Sequence, residues 1–219
     1  GCYGAALNFG GIMFTLFTAL NNSWCPFFFE DMKQGNRESL REKAGNFLEL
    51  FTVLSVGFVL LASEVYRYVY VSRDFWGSTM LIPIFVSSYY TNFLCTFPVN
   101  FEYYHKKTKV VSIITIVSSL INVGLNYLLI LRIGMAGAAV ATLISHSLQL
   151  TLHYLYVRFA LGGKEYPFPL KMWVGYAAVF AAVAVASVAA DGLWLARWGL
   201  GAAVGLWELL RIRKRKVLI

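Results

Sequence analysis

Long apolar runs separated by short polar clusters set the pattern of this chain. Seven runs stand out, at 3–20, 47–70, 79–101, 110–131, 135–157, 172–190 and 193–210. Each reaches about the 18 residues that a helix needs to cross a ~30 Å hydrocarbon core. Both neighbours of almost every apolar residue are themselves apolar, so the two-residue alternation of a membrane β-barrel is absent. The pattern predicts an all-α polytopic membrane protein with about seven transmembrane helices.

Polar groups at bilayer depth need partners, so their positions show which helix faces meet protein or water. In the fourth run Thr115, Ser118 or Ser119, Asn122 and Asn126 advance by three or four residues and share one stripe. In the fifth, Thr142, His146, Gln149, His153 and Tyr156 do the same. Beside them lie Gly137, Ala141 and Ser145, at the spacing that lets two helix backbones approach closely. The connection around Arg132–Gly134 holds only a few residues, which makes the two runs an antiparallel hairpin. Asn122 and Asn126 are expected to bond across it to the stripe of Thr142, His146 and Gln149. Two roles fit that stripe: helix packing, or the wall of a polar cavity with His146 as a proton-sensitive group near mid-span.

The first run carries Asn8, Gly10, Gly11, Thr15 and Thr18, with Asn22 at its end. Pro26 is expected to close that helix, and residues 30–46 to form an exposed helix between spans. Pro83 and Pro98 are expected to kink or unwind the third span. Glu64, Arg67, Arg73 and Asp74 read as interfacial.

Composition agrees with the pattern. Hydrophobic residues make up 58% of the 219-residue chain and charged ones 14%, against roughly half and a quarter in ordinary globular domains. The net charge of +8 matters through its distribution. Fifteen of the 19 basic residues follow the first, third, fifth and seventh runs, leaving Arg67, Arg73, Arg132 and Arg197 for the other segments. Positive residues gather on the cytoplasmic side, so the C-terminus is expected inside and the N-terminal end of the chain outside. The basic tail "RIRKRK" then anchors to anionic headgroups and not to nucleic acid. The first run begins almost at once, without an initiator Met or a basic flank, so the chain reads as the C-terminal part of a longer protein.

Catalytic chemistry is not signalled. Cys2, Cys25 and Cys95 have neither metal-ligand spacing nor a disulfide framework. GxxxxGK[ST], HExxH and GxSxG are missing. Most acids fall in loops or at span ends. No enzyme activity, cofactor or metal is expected, and moving a solute, or supporting a partner that does, fits better.

The stretch "YYHKKTKVVSIITIVSSLINVGLNYLLILRIGMAGAAVATLISHSLQL" (103–150), with "ALNNSWCPFF" at 19–28, resembles the polysaccharide (O-antigen-type) flippases. These belong to the superfamily of multidrug and toxin extruders and lipid-linked oligosaccharide exporters. The shared elements are Lys106, Lys107 and Lys109, the Asn pair before "YLLI", and "GAAVAT" after Gly134. The resemblance implies the C-terminal bundle of a fourteen-span, two-bundle transporter, matching the eighth through fourteenth spans. Residues 1–157 would form five spans of that bundle, incomplete at the N-terminus, and 158–219 two additional spans with a cytoplasmic tail. It implies export of an undecaprenyl-pyrophosphate-linked glycan across the bacterial inner membrane by alternating access, with polysaccharide polymerase and glycosyltransferases as further partners. Asn8, Thr15, Thr18 and Asn22 would line the substrate cavity, and Lys106, Lys107 and Lys109 would anchor the chain or meet the diphosphate at the cytoplasmic edge. The alternatives are a cation-coupled multidrug extruder of the same superfamily and a non-transporting scaffold of envelope assembly.

Overall fold

The computed structural model describes residues 1–70, 72–162, 165–189 and 192–215. Lys164 and Lys216 of the basic segments, and Ala190 at the end of the sixth run, lie outside the described residues. The chain is all-α, with seven long helices: α1 (Cys2–Gln34), α2 (Arg37–Val69), α3 (Ile82–Tyr104), α4 (Thr108–Ile133), α5 (Met135–Phe159), α6 (Leu170–Ala189) and α7 (Trp194–Arg215). A 3-10 segment, Arg73–Leu81, leads into α3. Among the described residues six helices are long and apolar enough to span a bilayer. The seventh is not one of them, because its sequence interleaves Arg197, Glu208, Arg211 and several glycines with its apolar residues. The protein is a polytopic membrane protein.

The helices run further than the apolar runs suggested. α1 continues through Pro26 to Gln34, because Trp24 and Phe28 keep the i, i+4 apolar stripe going and are buried on its inner side. The helix stops at Gly35, whose φ of 70° is the left-handed C-cap that glycine adopts at least cost. Asn36 then caps α2 through its side chain, which accepts from the Ser39 N–H at 3.2 Å. Residues 30–46 are therefore not a separate connector helix. They are the end of α1 and the beginning of α2, clamped by Lys43 Nζ on Asp31 at 2.8 Å. Pro83 sits in the first turn of α3, where its missing N–H costs nothing, so it makes no kink.

α3 is the centre of the bundle. It packs on α1, α5, α6 and α2, while α7 leans on α2 and α4 rests chiefly on α5. Tyr90, Phe93, Phe97 and Phe101 follow one face of α3 and are all buried. Phe93 meets Phe17, Phe47 and Phe51, and Phe97 meets Trp24, Phe168 and Trp173. In lipid the hydrophobic effect does not drive helices together, so dense contact of this kind supplies much of the association.

The α4–α5 hairpin follows the small-residue stripe. Gly137, Ala141 and Ser145 are buried, and a Cβ on Gly137 would overlap the Leu129 carbonyl of α4. Gly137→Ala should therefore lower thermal stability in detergent by about 1–3 kcal/mol, as overpacking does, despite alanine's better helix propensity. Gly124→Ala, whose Cβ would meet nothing within 4 Å, should leave stability unchanged or raise it.

Candidate functional site

The inner stripe of α1 fixes where its outer stripe looks. Ala6, Phe9, Gly10, Met13, Phe17, Trp24 and Phe28 are buried, and Gly10 lets α1 approach α3 so closely that a Cβ would stand 3.0 Å from the Phe85 Cβ. The opposite face carries Asn8, Thr15, Thr18 and Asn22, all exposed. The residues proposed for the cavity thus share one uncovered face of α1. Thr15 and Thr18 donate back to the carbonyls of Gly11 and Phe14, at 3.2 and 2.9 Å. Asn8 and Asn22 present whole amides outward. Pro26 adds to the polarity, because it has no N–H for the carbonyl of Asn22 four residues earlier. Between Cys2 and Glu30 α1 contains no Lys or Arg, so the face is polar but uncharged.

α4 is also uncovered, but differently. Ile113, Ile116, Leu120, Val123, Tyr127 and Leu131 are exposed, a surface suited to acyl chains. Its exposed Ser112 and Ser119 bond back along their own helix, to the carbonyls of Thr108 and Thr115. Asn122 and Asn126 are half-buried. α1 exposes amides alongside Ile12, Phe14 and Phe27, where α4 exposes mainly aliphatic side chains.

The basic segments gather at one end. Arg41 Nε donates to the Pro167 carbonyl at 2.6 Å, and Tyr104 Oη to that of Met32 at 3.3 Å. These bonds join the α1–α2 turn, the α3–α4 turn and the α5–α6 loop around a cleft lined by Met32, Gly35, Arg37, Tyr104, His105 and Glu165. Lys106, Lys107 and Lys109 are exposed at this end. Lys106 takes φ of 58° to finish α3, and Lys107 N–H closes the turn on the Glu102 carbonyl at 2.9 Å. At the far end Cys2 lies 3.3 Å from the Asp74 carbonyl, and Arg67 and Arg73 lie near the Trp76 ring. Glu64 pairs with the buried Arg197 of α7 at 3.3 Å.

The stripe on the α4–α5 hairpin divides between neighbours. Asn126 Nδ2 donates to the backbone and side-chain oxygens of Asn122, at 3.0 and 2.9 Å, so the Asn pair bonds within α4 and not across the hairpin. Four-residue spacing places the two amides one above the other, and the nearest acceptor is on the same helix. Thr142 donates to Ala138 in its own helix. Gln149 reaches Thr115 of α4 at a long 3.5 Å, and His146 turns to α3, with Nδ1 3.0 Å from the Ser88 carbonyl.

Sequence reasoning missed a buried carboxylate–imidazole pair. Glu102, at the boundary of the third run, lies inside α3, and both it and His153 of α5 are fully buried. His153 Nδ1 lies 2.9 and 3.0 Å from the two carboxylate oxygens. The available signal was a lone acid at the end of an apolar run and a His on the stripe that α5 turns towards α3.

No family model matches the chain, and no solved structure is similar to it. It is similar to an "Uncharacterized membrane protein" of Haemophilus influenzae, 27% identical over 125 residues, which are 57% of this chain and 31% of that protein. The chain therefore spans less than a third of that relative's length.

Breaking the buried pair from one side strands a charge. His153→Leu alone, which leaves the Glu102 carboxylate buried without its partner, should cost about 3–5 kcal/mol of stability in detergent, whereas Glu102→Met combined with His153→Leu should cost clearly less than the single change. Comparing the two melting temperatures checks this.

Proposed function

We propose that this chain forms part of a transporter that moves a lipid-linked oligosaccharide across a bacterial inner membrane by alternating access. The face of Asn8, Thr15, Thr18 and Asn22 lines the polar path, and the C-terminus lies in the cytoplasm. The observation that carries this reading is the contrast between the two uncovered helices. α4 exposes mainly aliphatic side chains, whereas α1 exposes amides and bonded hydroxyls among Ile12, Phe14 and Phe27.

A sugar chain needs such a surface. Its many hydroxyls lose water on entering a membrane, and neutral amides and carbonyls replace that water without trapping the cargo by charge. The lipid tail stays in the bilayer beside apolar surfaces like that of α4. Because the α1 face has no cation, pyrophosphate contacts fall to groups outside it. The resemblance of residues 103–150 and 19–28 to polysaccharide flippases supports the same reading. Glycosyltransferases and a polymerase are its expected working partners.

One observation favours the drug-extruder alternative, since Glu102 is an acid within a span. It is however enclosed by His153 and fully buried, not presented on the uncovered face of α1.

Expression of the full-length protein in a strain without its own flippase should restore surface polysaccharide. Asn22→Leu and Thr15→Val should each reduce that restoration severalfold at unchanged membrane levels. No restoration by a protein that reaches the membrane would overturn the proposal.

A further inference from the structure

The Glu102–His153 pair has a feature that a purely structural clasp does not need. Its imidazole is engaged on one side only. Nδ1 faces both carboxylate oxygens at nearly equal distances, the geometry of one N–H shared between two acceptors. Nε2 is buried and has no hydrogen-bond partner among the described residues. With a bare lone pair at Nε2 the couple carries a net charge of −1, and with a proton there it is neutral overall. In a dry interior the neutral form avoids stranding a carboxylate charge.

We propose that Glu102 and His153 form a proton-binding site between α3 and α5, taking up one proton at the imidazole Nε2. The proton comes from hydronium, which leaves as water, and the pair passes from −1 to zero without any bond being made to another ligand. The site stands apart from the polar face of α1 and does not depend on what the protein carries.

An aromatic side chain from the α5–α6 loop covers the neighbourhood of the pair. Tyr166, in the loop between α5 and α6, is buried with its ring 5.1 Å from Phe101 and 5.8 Å from Trp173. Those rings stand on α3 beside Glu102 and on α6. Burial pushes the Tyr166 phenol well above its ordinary range, with lesser contributions from Tyr154, Cys95 and Glu102, and its hydroxyl finds no partner among the described residues. Tyr166 thus packs beside the Glu102 segment of α3.

The charged and titratable neighbours are few. α3 itself brings Cys95 and, just past its end, His105, whose ring lies 4.5 Å from that of Phe101, and α5 brings Tyr154. From the start of α4, Lys107 approaches through its backbone N–H alone and keeps its side chain exposed. From α2, Arg41 stops at the Pro167 carbonyl. α6 offers Trp173, and no α1 group is bonded to the pair among the described residues. Among the described residues no Lys or Arg side chain is paired with Glu102, so the imidazole is the group that neutralises it, and only while it holds its second proton.

The test is magnetic resonance of isotope-labelled histidine in the full-length protein in lipid nanodiscs, with the His153 signal identified by its loss in His153→Gln. In the wild type that signal should switch reversibly between neutral and doubly protonated forms as the pH is lowered. In Glu102→Gln it should stay neutral throughout. An unchanging His153 signal in the wild type, or the same switching in Glu102→Gln, would overturn the proposal. Tyr166→Ala provides a second reading should the Gln variant not fold. It should make exchange of the His153 ring protons with water many times faster, and an unaltered exchange rate would count against Tyr166 as the cover of the site.

Discussion

Aromatic contact along one face of α3 is the interaction on which the bundle depends. Phe93 and Phe97 each touch rings from several other elements, so α1, α2, α6 and the loop before α6 are referred to one helix. Rings suit this place. They are large and stiff, and they bring much contact area at little cost in side-chain freedom, which matters where lipid is as apolar as the protein. Tyr90 shows that a polar handle is tolerated there once paired, because its hydroxyl meets Thr52 at 2.7 Å.

That arrangement determines which surfaces remain. α1 is held against α3 along Gly10 and its apolar stripe, so its Asn and Thr residues must face away from the bundle. α4, held only by the small-residue seam of α5, shows most of its circumference. Two uncovered helices with opposite chemistry imply two neighbours of opposite chemistry, acyl chains for α4 and water or polar cargo for α1. A long helix that crosses a bilayer with amides on its free face would otherwise pay for desolvating them.

Much of this was legible from residue order. The spans follow from apolar runs, the α4–α5 hairpin from its short turn, and the close seam from Gly137, Ala141 and Ser145, since each depends on local spacing. The shared face of Asn8, Thr15, Thr18 and Asn22 follows from helical periodicity alone. The continuation of α1 beyond Pro26 was also written there, in Trp24 and Phe28, but the proline masked it. What spacing could not give was which helix each polar group turns to. Asn126 bonds to Asn122 within its own helix, His146 turns to Ser88, and His153 meets Glu102 at a separation of 51 residues. Those pairings depend on α5 lying between α3 and α4, a fact of packing and not of periodicity.

The central claim is that the free face of α1 meets water within the membrane while that of α4 meets lipid. Spin labels placed singly at Asn8, Thr15, Thr18 and Asn22, and at Ile113, Ile116, Leu120 and Val123, in the full-length protein in bilayers test it directly. The α1 labels should collide mainly with a water-soluble nickel chelate and the α4 labels mainly with dissolved oxygen. If the α1 labels gave the same oxygen-dominated profile as those on α4, the face would be a lipid-facing surface and the account would be wrong.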